Sequence, residues 1–378
     1  MLTDLPDELT QAVLARDEVA RYLRTSDGDA DFDALEKVIG YLDELRTTQR
    51  YPIYRRLKHP LYPILRKVER LSENIEVVKA AARTKRVIYA SNHKSHLDYL
   101  IEPLVLDDHG IRPPVIAAGI NLFGGPLGLL HRHITGAIPI RRNVRDPGYL
   151  ITLRAYVAEL LKRHDFMFYI EGGRSYSGEL RPAKTGMFHA ALQTGRQDVV
   201  IVPTAIAYDL VLEDHILARQ RVKRQQRPFS RELAEMARYA VGYRSRAMVT
   251  FGDPIPLADV DPTSRRDVLD LVRRTRRAIG LQMKVLPTNL VAAAIRPSIR
   301  RAELEARIDD LLETLRAAGA NLGASSGAQA AQAGCEFLDA RHVIALEGGR
   351  VRVRDRHVVR YYARMIQHLL EPGTPLLH

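Results

Sequence analysis

Between residues 86 and 255, short β-rich runs alternate with stretches of helical composition: "RVIYA", "PVIAAG", "GAIPI", "FMFYI", "VVIVPTAIAY" and "AMVTF". Alternation of this kind predicts an α/β layered domain, a mixed sheet covered by helices. On either side the pattern is helical. Residues 5 to about 80 read as helices, with "DALEKVIGYLDEL" the clearest amphipathic piece. "RRDVLDLVRRTRRAIGLQM" reads as a further helix, and after "LPTN" comes a mainly helical region with one hairpin, "HVIALEGGRVRV", turned at a Gly-Gly pair. The small-residue stretch "AAGANLGASSGAQAAQAG" reads as a loop or a weak helix. The expected organisation is therefore a helical region over 1–80, the α/β domain over 81–285 and a mainly helical region over 286–378.

In layered α/β domains, ligand-binding groups sit on loops at the strand ends. Directly after "RVIYA" comes "SNHKSHLD", which holds His93, His96 and Asp98. On a continuous helix His93 and Asp98 would face roughly 140° apart. They meet only if His93 lies in the loop before the helix and Asp98 in its first turn. Ser95-x-x-Asp98 also matches a capping box, with Asp in place of Glu, ahead of the apolar run "YLIEPLVL". A metal site would need a third ligand; His96, His131 and His133 are candidates, but no pattern such as H-E-x-x-H is present. As a catalytic pair, a neutral imidazole is a competent base and a carboxylate on its other nitrogen fixes the tautomer. No nucleophile elbow occurs, so such a pair would activate a hydroxyl of the substrate. The capping and catalytic readings are compatible.

Two further strand ends are suited to an anion. "GAIPIRRN" ends with Arg141 and Arg142, and "FYIEGGRSYSGELRPAKTG" carries a Gly-Gly turn, then Arg174, Ser175 and Lys184. Arginine forks match phosphate oxygens, and glycines let backbone amides approach closely. Neither a Walker loop nor G-x-G-x-x-G is present, so nucleotide binding has no support. The formal charge of +12 and sequence pI near 9.8 favour anionic partners: nucleic acid, phosphorylated metabolites, acyl carriers or anionic lipid. A single cysteine, Cys335, excludes an internal disulfide and a multi-cysteine zinc site. The N-terminus is polar and shows no signal peptide. The apolar stretch "PPVIAAGINLFGGPLGLL" is broken by prolines and glycines, so it reads as strand, loop and short helix rather than a membrane span.

Taken together these segments resemble the glycerolipid acyltransferase family, most closely the bacterial glycerol-3-phosphate acyltransferases. "NHKSHLD", "GAIPIRR", "YIEGGRS" and "IVPTAIAYD" are similar to the family's four blocks, in order and in spacing, over about residues 86–255. A weaker likeness runs on through "PTNLVA" and "VVRYYARMIQHLL". The resemblance implies that family's fold and the transfer of a fatty acyl group from acyl-CoA or acyl carrier protein to glycerol 3-phosphate, without a cofactor or metal. It implies His93 as general base and Asp98 as its partner. Arg142, Gly173, Arg174 and Ser175, with Arg141 and Lys184 of the anion segments, would bind the phosphate. Glu171, Gly172 and Pro203 would belong to the substrate pocket. A protein peripheral to the cytoplasmic side of the cell membrane would meet its anionic surface through "ARQRVKRQQR" and "IRPSIRRAELEAR". Two alternatives keep the chemistry and change the acceptor, to 1-acylglycerol 3-phosphate or dihydroxyacetone phosphate. One from another class is a basic nucleic-acid-binding protein whose hairpin passes for a winged helix. Convergence of His93, Arg142 and Arg174 in one cleft discriminates between the classes.

Overall fold

All six β-rich runs form strands of one sheet. The computed structural model describes residues 7–25, 27–61, 68–123, 128, 132–142, 144–219 and 245–370. Helices α1 (Glu8–Leu14), α2 (Asp17–Tyr22), α3 (Phe32–Leu45) and α4 (Tyr51–Leu61) precede strand β1 (Val68–Glu73) and α5 (Ile75–Thr84). Then follow β2 (Arg86–Ser91), α6 (Asp98–Asp108), β3 (Val115–Gly119), β4 (Ala137–Ile140), α7 (Pro147–Leu160), β5 (Phe166–Tyr169) and α8 (Gly186–Leu192). The domain continues through β6 (Val199–Tyr208), α9 (Asp214–Arg219), β7 (Ser245–Phe251), β8 (Ile255–Pro256) and α10 (Arg265–Gln282).

The strand order is β1-β7-β6-β2-β5-β3-β4, with β8 on part of β6. β6, β2, β5, β3 and β4 run parallel, β7 is antiparallel to β6, and β1 is parallel to β7. The sheet is mixed, as its runs predict. Strand β1 corrects the all-helical expectation for residues 5–80. "VERLSE" joins the sheet at its edge, where one flank stays open and only Val68 is fully covered, so it lacks the apolar run that marks the inner strands.

Alternation along the inner strands feeds two cores. Val87 and Tyr89 of β2 point into one core and Ile88 and Ala90 into the other. The first face is covered by α4, α5, α6 and the C-terminal region, the second by α1, α2 and α3 with α7, α8 and α10. Both terminal regions therefore share their cores with the sheet.

Beyond α10 come α11 (Pro287–Ala294), β9 (Ser298–Arg300), α12 (Arg301–Ala317), α13 (Gly327–Ala340), β10 (Ile344–Glu347), β11 (Arg350–Val353) and α14 (Arg356–Arg364). The expected hairpin is present, with both Gly348 and Gly349 at positive φ as its turn requires. The small-residue stretch is a loop only up to Ser326, whose hydroxyl accepts the Gln329 N–H and starts α13. Its small residues permit close approach: a Cβ on Gly334 would stand 2.5 Å from the Pro287 carbonyl oxygen. The order helix, strand, helix, helix, hairpin is that of a winged helix. Yet α13, where a nucleic-acid reader presents its recognition helix, carries no Lys or Arg and does carry Glu336 and Asp339. Among the described residues no helix is long and apolar enough to cross a membrane.

The C-terminal region meets the loop after β5 through Gly178. This residue has φ +87°, and a Cβ there would lie 2.0 Å from the Tyr361 carbonyl oxygen in α14. Gly178→Ala should cost on the order of 2 kcal/mol or more of stability, from backbone strain and from that collision. Thermal unfolding checks it, and an unchanged midpoint would show that this contact is dispensable.

Candidate active site

Four parallel strands, β2, β4, β5 and β6, end at one edge of the sheet, and the residues after them build the site. After β2, Asn92 clamps the chain to β6. Its Nδ2 donates to the Ile206 carbonyl at 3.0 Å and its Oδ1 accepts the Ile206 N–H at 2.8 Å. His93 follows in the loop, and Asp98 opens α6.

The pair meets. His93 Nδ1 donates to Asp98 Oδ2 at 2.8 Å. The same oxygen accepts the N–H groups of Lys94 and Ser95 at 2.6 and 2.9 Å, and Oδ1 accepts the Tyr208 hydroxyl at 2.6 Å. Asp98 is fully buried, so these four donors take the place of water. The capping reading holds only for the Asp98 half of the box: its carboxylate reaches back to loop amides, while the N-cap position is Leu97 rather than Ser95.

Because Nδ1 keeps its proton and donates it in the hydrogen bond to Asp98, Nε2 carries the lone pair, and His93 lines the cleft. Burial pulls the imidazole below its ordinary pKa, against the pull of Asp98 and helped by Arg174 and Arg142. It is therefore neutral, and basic at Nε2, at pH 7. The ring stacks on Tyr169, with centroids 4.1 Å apart. Tyr169 in turn donates to Glu102 at 2.9 Å; burial and the nearby Asp98 push that carboxyl well up.

The loop after β5 locks onto the same histidine. Glu171, 1% exposed, accepts the His93 N–H at 3.1 Å and the Arg181 N–H at 3.1 Å. The Ser175 N–H donates to the His93 carbonyl at 3.1 Å. Lys94 is buried, and its Nζ donates to the Gly178 carbonyl at 2.7 Å. Gly172 takes φ +64°, and Lys184 lies across it so closely that a Cβ would stand 2.7 Å from Lys184 Cδ.

His93, Arg142, Gly172, Gly173, Arg174 and Lys184 all line one cleft of about 510 Å³. Apolar side chains also line it, among them Leu122, Ile140, Val144, Leu153, Phe168 and Met187. The cleft thus combines a base and cations with hydrocarbon wall.

Four of the residues read as site members are placed differently. Arg141 also lines the cleft, but its guanidinium is already engaged there: Glu44 accepts from its Nε at 2.8 Å and the rings of Tyr41 and Tyr149 flank it. Ser175 is fully buried and acts through its backbone, as a brace for His93. Glu171 likewise stands behind the cleft, binding loop amides rather than lining the pocket. Pro203 lies within β6, paired with Ala90 where the neighbour changes from β8 to β7, and its carbonyl accepts the Gly252 N–H. The sequence reading also missed residues that hold the site: Tyr208, Tyr169, Lys94 and Glu213. Among the described residues no group of three His, Cys, Asp or Glu side chains gathers as metal ligands would; His131 lies outside them.

His93→Ala should lower turnover on the order of 10³-fold or more in a folded protein, since it removes the proton acceptor from a loop. Asp98→Asn should be severely impaired by presenting the wrong tautomer. Because burial lowers the His93 pKa, protonation of Nε2 should depress kcat/KM only on the acid side of neutrality, leaving this base competent at pH 7. A pH profile checks the sign.

Residues 70–207, from β1 through β6, match the family model described as Acyltransferase. The glycerol-3-phosphate acyltransferase of Xanthomonas campestris is 30% identical over 332 residues, 79% of this chain and 37% of that protein. The enzyme of the same name from Actinobacillus succinogenes is 31% identical over 343 residues, 80% of this chain and 42% of that one. That from Aeromonas hydrophila is 30% identical over 314 residues, covering 75% and 39%. The chain thus spans about two-fifths of the length of these relatives. A solved 1-acyl-sn-glycerophosphate acyltransferase from Thermotoga maritima aligns with 72% of this chain and 93% of its own at 15% identity and a TM-score of 0.36, too distant to add to the argument. The matched segment is the one whose strand ends carry His93, Asp98, Arg142 and the Gly-Gly-Arg turn, and over residues 70–207 the chain carries a domain of the Acyltransferase family.

Proposed function

We propose that this protein transfers a fatty acyl group from an acyl thioester, on coenzyme A or acyl carrier protein, to a hydroxyl of glycerol 3-phosphate. The observation that carries this reading is the single cleft in which the basic nitrogen of His93 and the guanidinium groups of Arg142 and Arg174 face an apolar channel. A base, an anion site and hydrocarbon wall within one cleft suit a phosphorylated alcohol meeting an acyl chain.

In this reading Arg142, Arg174 and Lys184, with the backbone around Gly173, hold the phosphate and so align the hydroxyl. His93 Nε2 takes the hydroxyl proton as the oxygen attacks the thioester carbonyl. The tetrahedral intermediate collapses, the C–S bond breaks, and the imidazolium returns the proton to the departing sulfur. Asp98 stabilises the imidazolium throughout. A positioned base contributes about 10²–10⁴-fold, and alignment of the reactants can contribute more. No cofactor takes part. The convergence of His93, Arg142 and Arg174 favours this reading over nucleic-acid binding.

The acyl product would be delivered at a membrane surface, on its cytoplasmic side. Of the two basic segments, "ARQRVKRQQR" lies outside the described residues from position 220 onward. Within "IRPSIRRAELEAR", Arg301 is bound by Glu305 and Arg296 faces Glu303. The more open cations are Arg300 and Arg350, directly opposite each other across β9 and β11; Arg352, on the same face, pairs with Glu347 at 3.5 Å. Each is worth roughly 1 kcal/mol near an anionic surface and is screened by salt.

Arg174→Ala should lower kcat/KM for the phosphorylated acceptor by about 10- to 100-fold, with both KM raised and kcat lowered if the phosphate aligns the hydroxyl. A rise confined to the KM of the acyl donor would reassign Arg174. Steady-state rates with glycerol 3-phosphate, its 1-acyl form and dihydroxyacetone phosphate test the acceptor directly. Leu153→Trp, which narrows the apolar channel, should shift preference toward shorter acyl chains. Vesicle sedimentation should require anionic lipid and be reversed by salt.

A further inference from the structure

Glu213 stands between the end of β6 and the start of α9, and none of the family-like blocks includes it. It is 3% exposed. Its Oε1 accepts the His96 N–H at 2.7 Å, and its two oxygens accept the Ser95 hydroxyl at 2.9 and 3.0 Å. The same Oε1 lies 3.7 Å from Nη1 of Arg174. One carboxylate thus touches both the loop that carries the base and the arginine assigned to the phosphate.

The groups around it set its charge. Arg174 faces it from the loop after β5, and Asp98 from the start of α6. The hydroxyls of Tyr208 and Tyr361 approach from β6 and α14, and the backbone N–H of His96 adjoins on the His93 loop. The next residue, Asp214, is already paired with Arg341 and Tyr362. Burial pushes Glu213 up to about 7, with Arg174 and the two loop hydrogen bonds pulling the other way. A phosphate dianion on Arg174 would put a second anion beside this carboxylate in a poorly solvated place. Two like charges so close strongly disfavour joint ionisation.

We propose that Glu213 is a positioning residue shared by base and phosphate site: it anchors the His93 loop through Ser95 and His96, and releases Arg174 to the acceptor's phosphate by taking up a proton. The inference rests on Arg174 as a phosphate contact. Its sign follows from linkage. Below about pH 7 Glu213 is already neutral and binding takes up nothing there. Above it, binding must protonate the carboxylate, so acceptor KM rises with pH, by up to about tenfold per unit. Glutamine keeps an oxygen for Ser95 and His96 but cannot ionise. Glu213→Gln should therefore flatten the rise in KM and keep most of kcat, whereas Glu213→Ala should lower kcat by freeing the loop.

The test is calorimetric titration of the full chain with glycerol 3-phosphate at about pH 7.5, in two buffers of different ionisation enthalpy. Wild type should take up a fraction of a proton more than Glu213→Gln, and that excess should match the difference in their KM–pH slopes. Comparing the two proteins cancels the titrations of the substrate phosphate and of His93. Equal uptake and equal slopes overturn the proposal. A wild type that binds glycerol 3-phosphate in no way displaced by inorganic phosphate overturns the acceptor reading, and this inference with it. Ser95→Ala gives a second handle. Loss of its hydrogen bond raises the Glu213 pKa, so the KM rise should move to higher pH; no move, or the reverse, counts against the proposal.

Discussion

The site depends on one buried carboxylate. Asp98 has no access to water, and its charge is tolerable only because Nδ1 of His93, two loop amides and the Tyr208 hydroxyl converge on it. Those four donors come from the loop after β2 and the end of β6. Satisfying the carboxylate therefore folds the loop, joins two strand ends, and fixes the tautomer of the base in a single arrangement. Structural and catalytic roles are not alternatives here. The hydrogen bonds that order the loop are the ones that aim the imidazole.

A second constraint makes base and anion site one body. The His93 N–H goes to Glu171 and its carbonyl accepts from Ser175, so both backbone groups of the histidine are held by the loop that carries Gly172, Gly173 and Arg174. An unpaired buried backbone group costs on the order of 1–3 kcal/mol. The two loops cannot drift apart without exposing or orphaning several at once. Their spacing is thereby fixed before any ligand arrives, the condition under which positioning lowers a barrier.

Local pattern carried much of this in the sequence, and long-range contact carried the rest. Strands β2 to β7, including β4 at the far edge, are legible because strands covered on both faces are continuous apolar runs. His93 with Asp98, and Arg142 with the Gly-Gly-Arg turn, are legible because each sits within a few residues of a strand end. Tyr208 and Glu213 are not, since they reach Asp98 and His96 from 110 and 117 residues away. Arg141 looks the equal of Arg142 until α3 brings Glu44 to it, from 97 residues upstream. Helix α13 hid for a different reason. It packs by close backbone approach at Gly327 and Gly334 rather than by a stripe of large side chains, so its composition reads as weak.

The terminal regions make sense as buttresses for different walls of the cleft. Helix α7 supplies Leu150 and Leu153 to the apolar wall, and its other side is packed by α1, α2 and α3 through Val13, Val19, Val38 and Leu42. A half-buried ion pair, Arg16 to Glu159 at 2.6 Å, ties the two together. At the loop after β5, α14 closes on the other side. Its Tyr361 carbonyl sits against Gly178, Arg364 pairs with Glu179 at 3.1 Å, and the Tyr362 hydroxyl donates to Asp214 at 2.8 Å, next to Glu213. Loops of a few residues hold a charged constellation only when their outer sides are packed as closely as their inner ones. Here the sheet's strand ends supply the reacting groups, and the flanking helices supply the second wall.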